Sequence, residues 1–103
     1  MKAAAKVTST ENRALARVFE ALANETRVRI VREVAAAKGM YCGDVQARFR
    51  LSQPTMSHHF RKLIGAGILV AHQEGKRHFY TVDGNFLERH GLRFLDVKGG
   101  WKA

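Results

Sequence analysis

The sequence predicts a mainly α-helical fold, about five helices joined by short connections, carrying one hairpin of two antiparallel strands. Three observations predict it. Apolar residues recur at helical spacing between capping residues along most of the chain, and one stretch, Ile68 to Val82, instead sets strand formers around a charged turn holding a glycine. A length of 103 residues, without internal repeats, also suits one domain burying roughly two-thirds of its unfolded surface.

The helices follow in order. Thr8 and Glu11 have the spacing of a capping box, after which Leu15, Val18, Phe19 and Leu22 share one face of an amphipathic first helix. Asn24 caps a second, in which Val28, Val31 and Ala35 form one row and Ile30 and Val34 another, with Gly39 as its end. A short third helix, about Asp44 to Arg50, uses Val45 and Phe49 one turn apart and leads through Leu51 into a fourth. Ser52 caps that fourth helix, Pro54 sits in the first turn where a missing N–H costs nothing, and Gly65 and Gly67 close it. After Asp83 and Gly84 a last helix, about Asn85 to Leu95, presents Leu87, Gly91, Phe94 and Leu95. Residues 1 to about 8 and about 97 to 103 read as tails of a single domain spanning 1–103.

The fourth helix divides its residues by chemistry. At 100° per residue Met56, Phe60, Leu63 and Ile64 gather on one side, Pro54, Ser57, His58 and Arg61 lie opposite, and Thr55 and Lys62 flank them. A free face of hydroxyls, a histidine and a guanidinium suits base edges and phosphates in a DNA major groove, which is wide enough for a helix. The hairpin follows at once. Ile68, Val70, Phe79 and Val82 favour strands, and the turn Glu74-Gly75-Lys76-Arg77 puts two cations at an exposed tip, placed to meet phosphates or reach a minor groove.

Charge agrees. Eighteen Lys and Arg against nine Asp and Glu give +9, which favours a polyanionic partner. Between residues 48 and 77 the basic residues Arg48, Arg50, Arg61, Lys62, Lys76 and Arg77 face only Glu74. No run approaches a membrane span, and Lys6 interrupts the place where a signal peptide would be apolar, so a cytoplasmic location without membrane partners is expected. The single cysteine, Cys42, excludes an internal disulfide and fits a reducing compartment.

These segments resemble one family, the ArsR/SmtB-type winged helix-turn-helix transcriptional regulators. SQPTMSHHFRKLIGAGIL is similar to that family's recognition helix and the start of its wing, EGKRHFYTV to the rest of the wing, and FEALANETRVRIVREV to its opening segment. Together they cover roughly Ala14 to Asp83. The resemblance implies a winged helix-turn-helix fold and a homodimeric, sequence-specific DNA-binding repressor. Gln53, Thr55, Ser57, His58 and Arg61 would then meet bases or adjacent phosphates, and Ser52, Lys62, Lys76 and Arg77 would hold the backbone. In this family the terminal helices build the dimer, which places Leu15, Phe19, Phe86, Leu87 and Phe94, with Trp101, at a two-fold interface; the alternative is that these apolar residues simply close the core of the monomer. Two recognition helices roughly 34 Å apart would require double-stranded DNA with an imperfect palindrome.

The family's two metal sites do not carry over. Members often hold cysteines in a leucine-cysteine-valine-cysteine-aspartate-leucine motif; the matching residues run Met40, Tyr41, Cys42, Gly43, Asp44, Val45, so both ligand positions lack cysteine and Cys42 falls between them as a packing residue. Asp44 beside it discourages a thiolate. On the last helix Asp83 is followed by Asn85 where a histidine is wanted, and Asp96 and Gly99 hold the later positions. His72 and His78 could face each other across the hairpin, yet two nitrogens fall short of a zinc complement, and solvated wing histidines are expected. His58 and His59 diverge by about 100°, which puts His58 on the DNA side and His59 at a seam near the core; His90 reads as a surface or interface residue. The expectation is therefore no metal, no cofactor, an effector of another kind and no enzyme, since no Ser-His-acid order, phosphate-cradling glycine loop or supported carboxylate pair occurs. The competing reading is a winged helix that docks another protein without touching DNA; RNA is disfavoured because an A-form major groove does not admit a helix.

Overall fold

Thr8 caps the first helix of a computed structural model that describes residues 8–95. Its hydroxyl accepts the Glu11 N–H at 3.0 Å while the Glu11 carboxylate accepts the Thr8 N–H, the capping box expected, and α1 runs Ser9–Leu22. Asn24 Oδ1 accepts the Arg27 N–H at 3.0 Å and starts α2, Glu25–Ala37. Helix α2 ends two residues before Gly39. Lys38 takes the left-handed conformation that closes the helix, and the Gly39 N–H reaches back to the Val34 carbonyl at 3.0 Å.

Gly39 has a different task. Its φ of +119° is one that side chains rarely adopt, and a Cβ there would collide with the ring of Phe79. That approach admits a strand that sequence reading missed: β1, Met40–Tyr41, pairs antiparallel with Tyr80 and Phe79. The sheet therefore has three strands, in the order β1, β3, β2, with β2 at Leu69–Glu74 and β3 at Arg77–Val82. Two residues are too few to show a period, so only the tertiary pairing reveals β1.

Helix α3 starts earlier than expected, at Cys42–Phe49, and α4 occupies Gln53–Gly65. Ser52 caps α4 through the Thr55 N–H at 3.3 Å, and the Ile68 N–H returns to the Leu63 carbonyl at 3.0 Å to finish it. The last helix is shorter than its apolar spacing suggested. Helix α5 covers Gly84–Arg89 only, because Gly91 (φ +74°) turns the chain and the Leu92 N–H closes onto the Leu87 carbonyl at 2.9 Å. A single 3₁₀ turn, Arg93–Leu95, follows.

One core joins these elements. Val18 of α1, Ile30, Val31 and Val34 of α2, Val45 of α3, Met56 and Leu63 of α4, Ile68 and Leu87 are sealed within it. Tyr80 of β3 stacks on Phe60 of α4 with centroids 4.1 Å apart, so the β2–β3 hairpin is seated directly on α4. Leu87, expected at an interface between subunits, has no surface left to offer a partner. Phe86 is half-buried, lying over Gly67 and against the edge of His90; Leu15 is half-buried, and Phe19 is 54% exposed. The Phe94 side chain, Trp101, Asp96, Gly99 and the tails at 1–7 and 97–103 lie outside the described residues.

Candidate nucleic-acid interface

Helix α4 turns the expected face outward. Met56, Phe60 and Leu63 are buried, whereas Gln53, Pro54, Thr55, His58, Arg61 and Lys62 are exposed and Ser57 is half-covered. Ile64 departs from the apolar side. About 80° round from Met56 it falls on the flank and lines a groove with Cys42, Ser57, Arg61, His78 and Tyr80, where α4 meets β3. His58 and His59 separate as their spacing requires, with His58 exposed and His59 only 8% exposed.

Three of the expected cations prove to have partners on the protein. Lys62 Nζ lies 3.9 Å from the Glu20 carboxylate of α1, a loose exposed pair that draws it toward the edge of the face. Arg48 bonds to Glu33 of α2, which Arg29 also approaches at 3.5 Å; that bond, together with the nearby positive charge of both arginines, holds the Glu33 carboxyl below the usual range. Arg48 is thereby used to tie α3 to α2. At the wing, Gly75 and Lys76 form a two-residue turn with Glu74 and Arg77 directly opposite each other. Lys76 projects freely, but the Arg77 guanidinium lies 3.6 Å over the ring of Tyr41.

The hairpin register also settles the wing histidines. His72 stands opposite Phe79 and His78 opposite Gln73, so the two lie on opposite faces and cannot share an ion. His72 instead bonds to the Thr81 hydroxyl at 2.9 Å. Among the described residues no three His, Cys, Asp or Glu side chains converge on a point. Cys42 is partly covered at the start of α3, and burial pushes its thiol up, against the pull of a hydrogen bond with Tyr80.

Two contributors were not named from sequence. Arg27 is buried, with Nε donating to the Ala21 carbonyl at 2.6 Å, and it had a signal: it lies one and two turns before Val31 and Val34 on an inward row, an odd place for an arginine. Tyr41, which holds the wing, had none beyond its β1 pairing. No described helix is long and apolar enough to cross a membrane.

A helix-turn-helix whose second helix shows a polar face, followed by a hairpin with a basic tip, defines a winged helix-turn-helix domain of the kind found in DNA-binding regulators. Comparison with known proteins agrees. A family of helix-turn-helix domains matches residues 22–71. The transcriptional repressor SdpR of Bacillus subtilis is 30% identical over 71 residues, 69% of this chain and 78% of that protein. An arsenical resistance operon repressor of Staphylococcus xylosus is 27% identical over 74 residues, 72% of this chain and 70% of that one. Among solved structures, a homodimeric winged helix-turn-helix DNA-binding domain from Mycobacterium bovis, a possible ArsR-family regulator, superposes with a TM-score of 0.73. It covers 94% of this chain and 88% of its own at 23% identity, which speaks for the fold alone. The chain belongs to the ArsR family of winged-helix transcriptional regulators.

Proposed function

We propose that this chain is a homodimeric, sequence-specific DNA-binding repressor of the cytoplasm, released from its operator by an effector other than the metals of the family's two familiar sites. The observation that carries this reading is the outward polar face of α4 beside the cationic turn of the wing. Gln53, Thr55, Ser57, His58 and Arg61 are assigned to bases and adjacent phosphates, and Ser52, Lys62, Lys76 and Arg77 to the backbone. Such a division lets phosphates fix the docking while base edges fix the sequence.

A second copy doubles the interface. The reading is supported by the exposure of Phe19, by the half-exposed Phe86 and by the homodimeric state of the Mycobacterium bovis relative. Two α4 helices about one DNA turn apart would select an imperfect palindrome in double-stranded DNA. The whole chain, 1–103, acts as one such domain in this reading, and the interface needs no catalytic group.

Selection of fragments from the host genome by the purified protein tests the proposal. Enrichment of sites with two-fold symmetry, bound more tightly than random duplex and weakened by salt, is the expected result. Association with a protein partner that is indifferent to salt, with no retained duplex even in dilute buffer, would point instead to a docking module.

A further inference from the structure

The strand that sequence reading missed gives the wing a fixed geometry at one side chain. Tyr41 is the second residue of β1 and lies opposite Phe79 of β3, against whose ring it packs at 4.9 Å. Its hydroxyl donates to the Glu74 carboxylate at 2.8 Å, and its ring face carries the Arg77 guanidinium at 3.6 Å. Glu74 and Arg77 are the last residue of one strand and the first of the next, directly opposite across the turn. An acid and a base so placed ordinarily pair. Here no ion pair joins them among the described residues.

We propose that Tyr41 is a positioning residue for DNA binding: by engaging Glu74 through its hydroxyl and Arg77 through its ring, it keeps the two from neutralising each other and holds the Arg77 cation ready for a phosphate. The proposal rests on the DNA-binding reading above. Stacking suits that task, because it occupies the flat face of a guanidinium and leaves its N–H edge free for a phosphate. The ring cannot drift. Its backbone is paired in the sheet, and Phe79, admitted by the missing side chain of Gly39, abuts it. An arginine on a mobile hairpin would lose side-chain entropy on meeting DNA; one already laid on a ring has lost part of it.

Binding of the full chain to a random-sequence DNA duplex across a range of salt tests this, since a phosphate contact carries no sequence information. Y41F keeps the ring and its packing but removes the hydroxyl, freeing Glu74 to pair with Arg77. Its affinity is expected to fall roughly three- to tenfold, and its log–log salt slope to flatten by up to about 0.9, one phosphate's share. E74Q should then raise the affinity of Y41F by a larger factor than it raises that of the parent. Equal gains in the two backgrounds would overturn the proposal, and so would Y41F binding with the parent's affinity and slope. A Tyr41 that merely braces the fold predicts no such rescue. In the unaltered protein, the Arg77 side-chain protons should show an upfield ring-current shift in NMR spectra; random-coil positions for them contradict the stacking whether or not the variants fold. A parent that retains no duplex at any salt refutes the DNA reading, whereas a parent that binds alongside an indistinguishable Y41F refutes the role of Tyr41 alone.

Discussion

The guanidinium of Arg27, on α2, and the imidazole of His59, on the recognition helix α4, meet inside the molecule with Nη1 3.4 Å from Nδ1. Both residues are 8% exposed. Arg27 also donates to the Ala21 carbonyl at 2.6 Å and the Glu20 carbonyl at 3.5 Å, in the last turn of α1, where the Glu20 carbonyl takes the Ala23 N–H as well. A buried cation is thus satisfied by the negative end of one helix and by a neutral histidine on another. Three helices are joined at this point, and the one that would read DNA is among them. Replacing His59 by Ala leaves one donor of Arg27 without its acceptor and is expected to cost about 1–3 kcal/mol in urea unfolding.

The same contact sets a pH dependence. Burial first, then the Arg27 guanidinium and His58, holds the His59 imidazole below the usual histidine range, so the folded protein keeps it neutral where an unfolded chain, titrating near about 6.5, takes up a proton. A depressed folded value means the stabilisation is fully present above the unfolded value and drains away as pH falls toward the folded one. The melting temperature should drop between about pH 7 and pH 5 by more in the parent than in His59→Gln, whose amide oxygen can still accept from Arg27. Parallel losses in the two proteins would show that His59 is not the responsible group.

Gly39 offers a test of how the wing is built. Gly39→Ala adds a methyl group at a positive φ and drives it into the Phe79 ring, so backbone strain and overpacking add to an expected loss of about 2–4 kcal/mol. Because Phe79 abuts Tyr41, DNA affinity should weaken as well in the fraction that remains folded. A denaturation midpoint equal to the parent's would mean that β1 is not packed as described.

The features legible in the sequence were those written in local chemistry. Thr8 with Glu11, Asn24 and Ser52 each cap the helix they were expected to cap, and Met56, Phe60 and Leu63 face inward as their spacing requires. The misreadings came from contacts that no apolar period announces, one of them a local turn and two between distant residues. Leu87, Phe94 and Leu95 imitate a continuing helix, but the return of Leu92 to Leu87 at Gly91 stops it after Arg89. Arg48 adds to the basic excess between residues 48 and 77, but its charge is taken up by Glu33, fifteen residues earlier. Tyr41 and Glu74, thirty-three apart, had no local pattern linking them.

Within the interface, Arg61 and Lys76 should behave differently. Arg61 stands on the outward face of α4 and Lys76 at the free tip of the wing. Arg61→Ala is expected to cost about 1–3 kcal/mol on a selected operator and to narrow the gap between operator and random duplex. Lys76→Ala should weaken every duplex alike and flatten the salt slope by about 0.9. Anisotropy titrations at several salt concentrations distinguish the two, and identical behaviour of both variants on both duplexes would dissolve the assignment into base-reading and backbone-holding residues.

Phe19 and Leu87 separate assembly from folding, although both were expected at a subunit interface. Leu87 is sealed in the core beside the α5 turn, so Leu87→Ala should open a cavity and cost about 2–5 kcal/mol of stability. Phe19 leaves more than half its surface in solvent on α1, and a lone monomer would scarcely notice its loss. In the homodimeric reading that exposed ring is covered by the second copy. Phe19→Ser should then shift sedimentation toward monomer and weaken operator binding, because one recognition helix forfeits the effective concentration that the first confers on the second. Its melting profile at high dilution, where the parent has also dissociated, should nevertheless match the parent's. A Phe19→Ser protein that sediments as the parent does at every concentration would place the two-fold contact elsewhere on the surface.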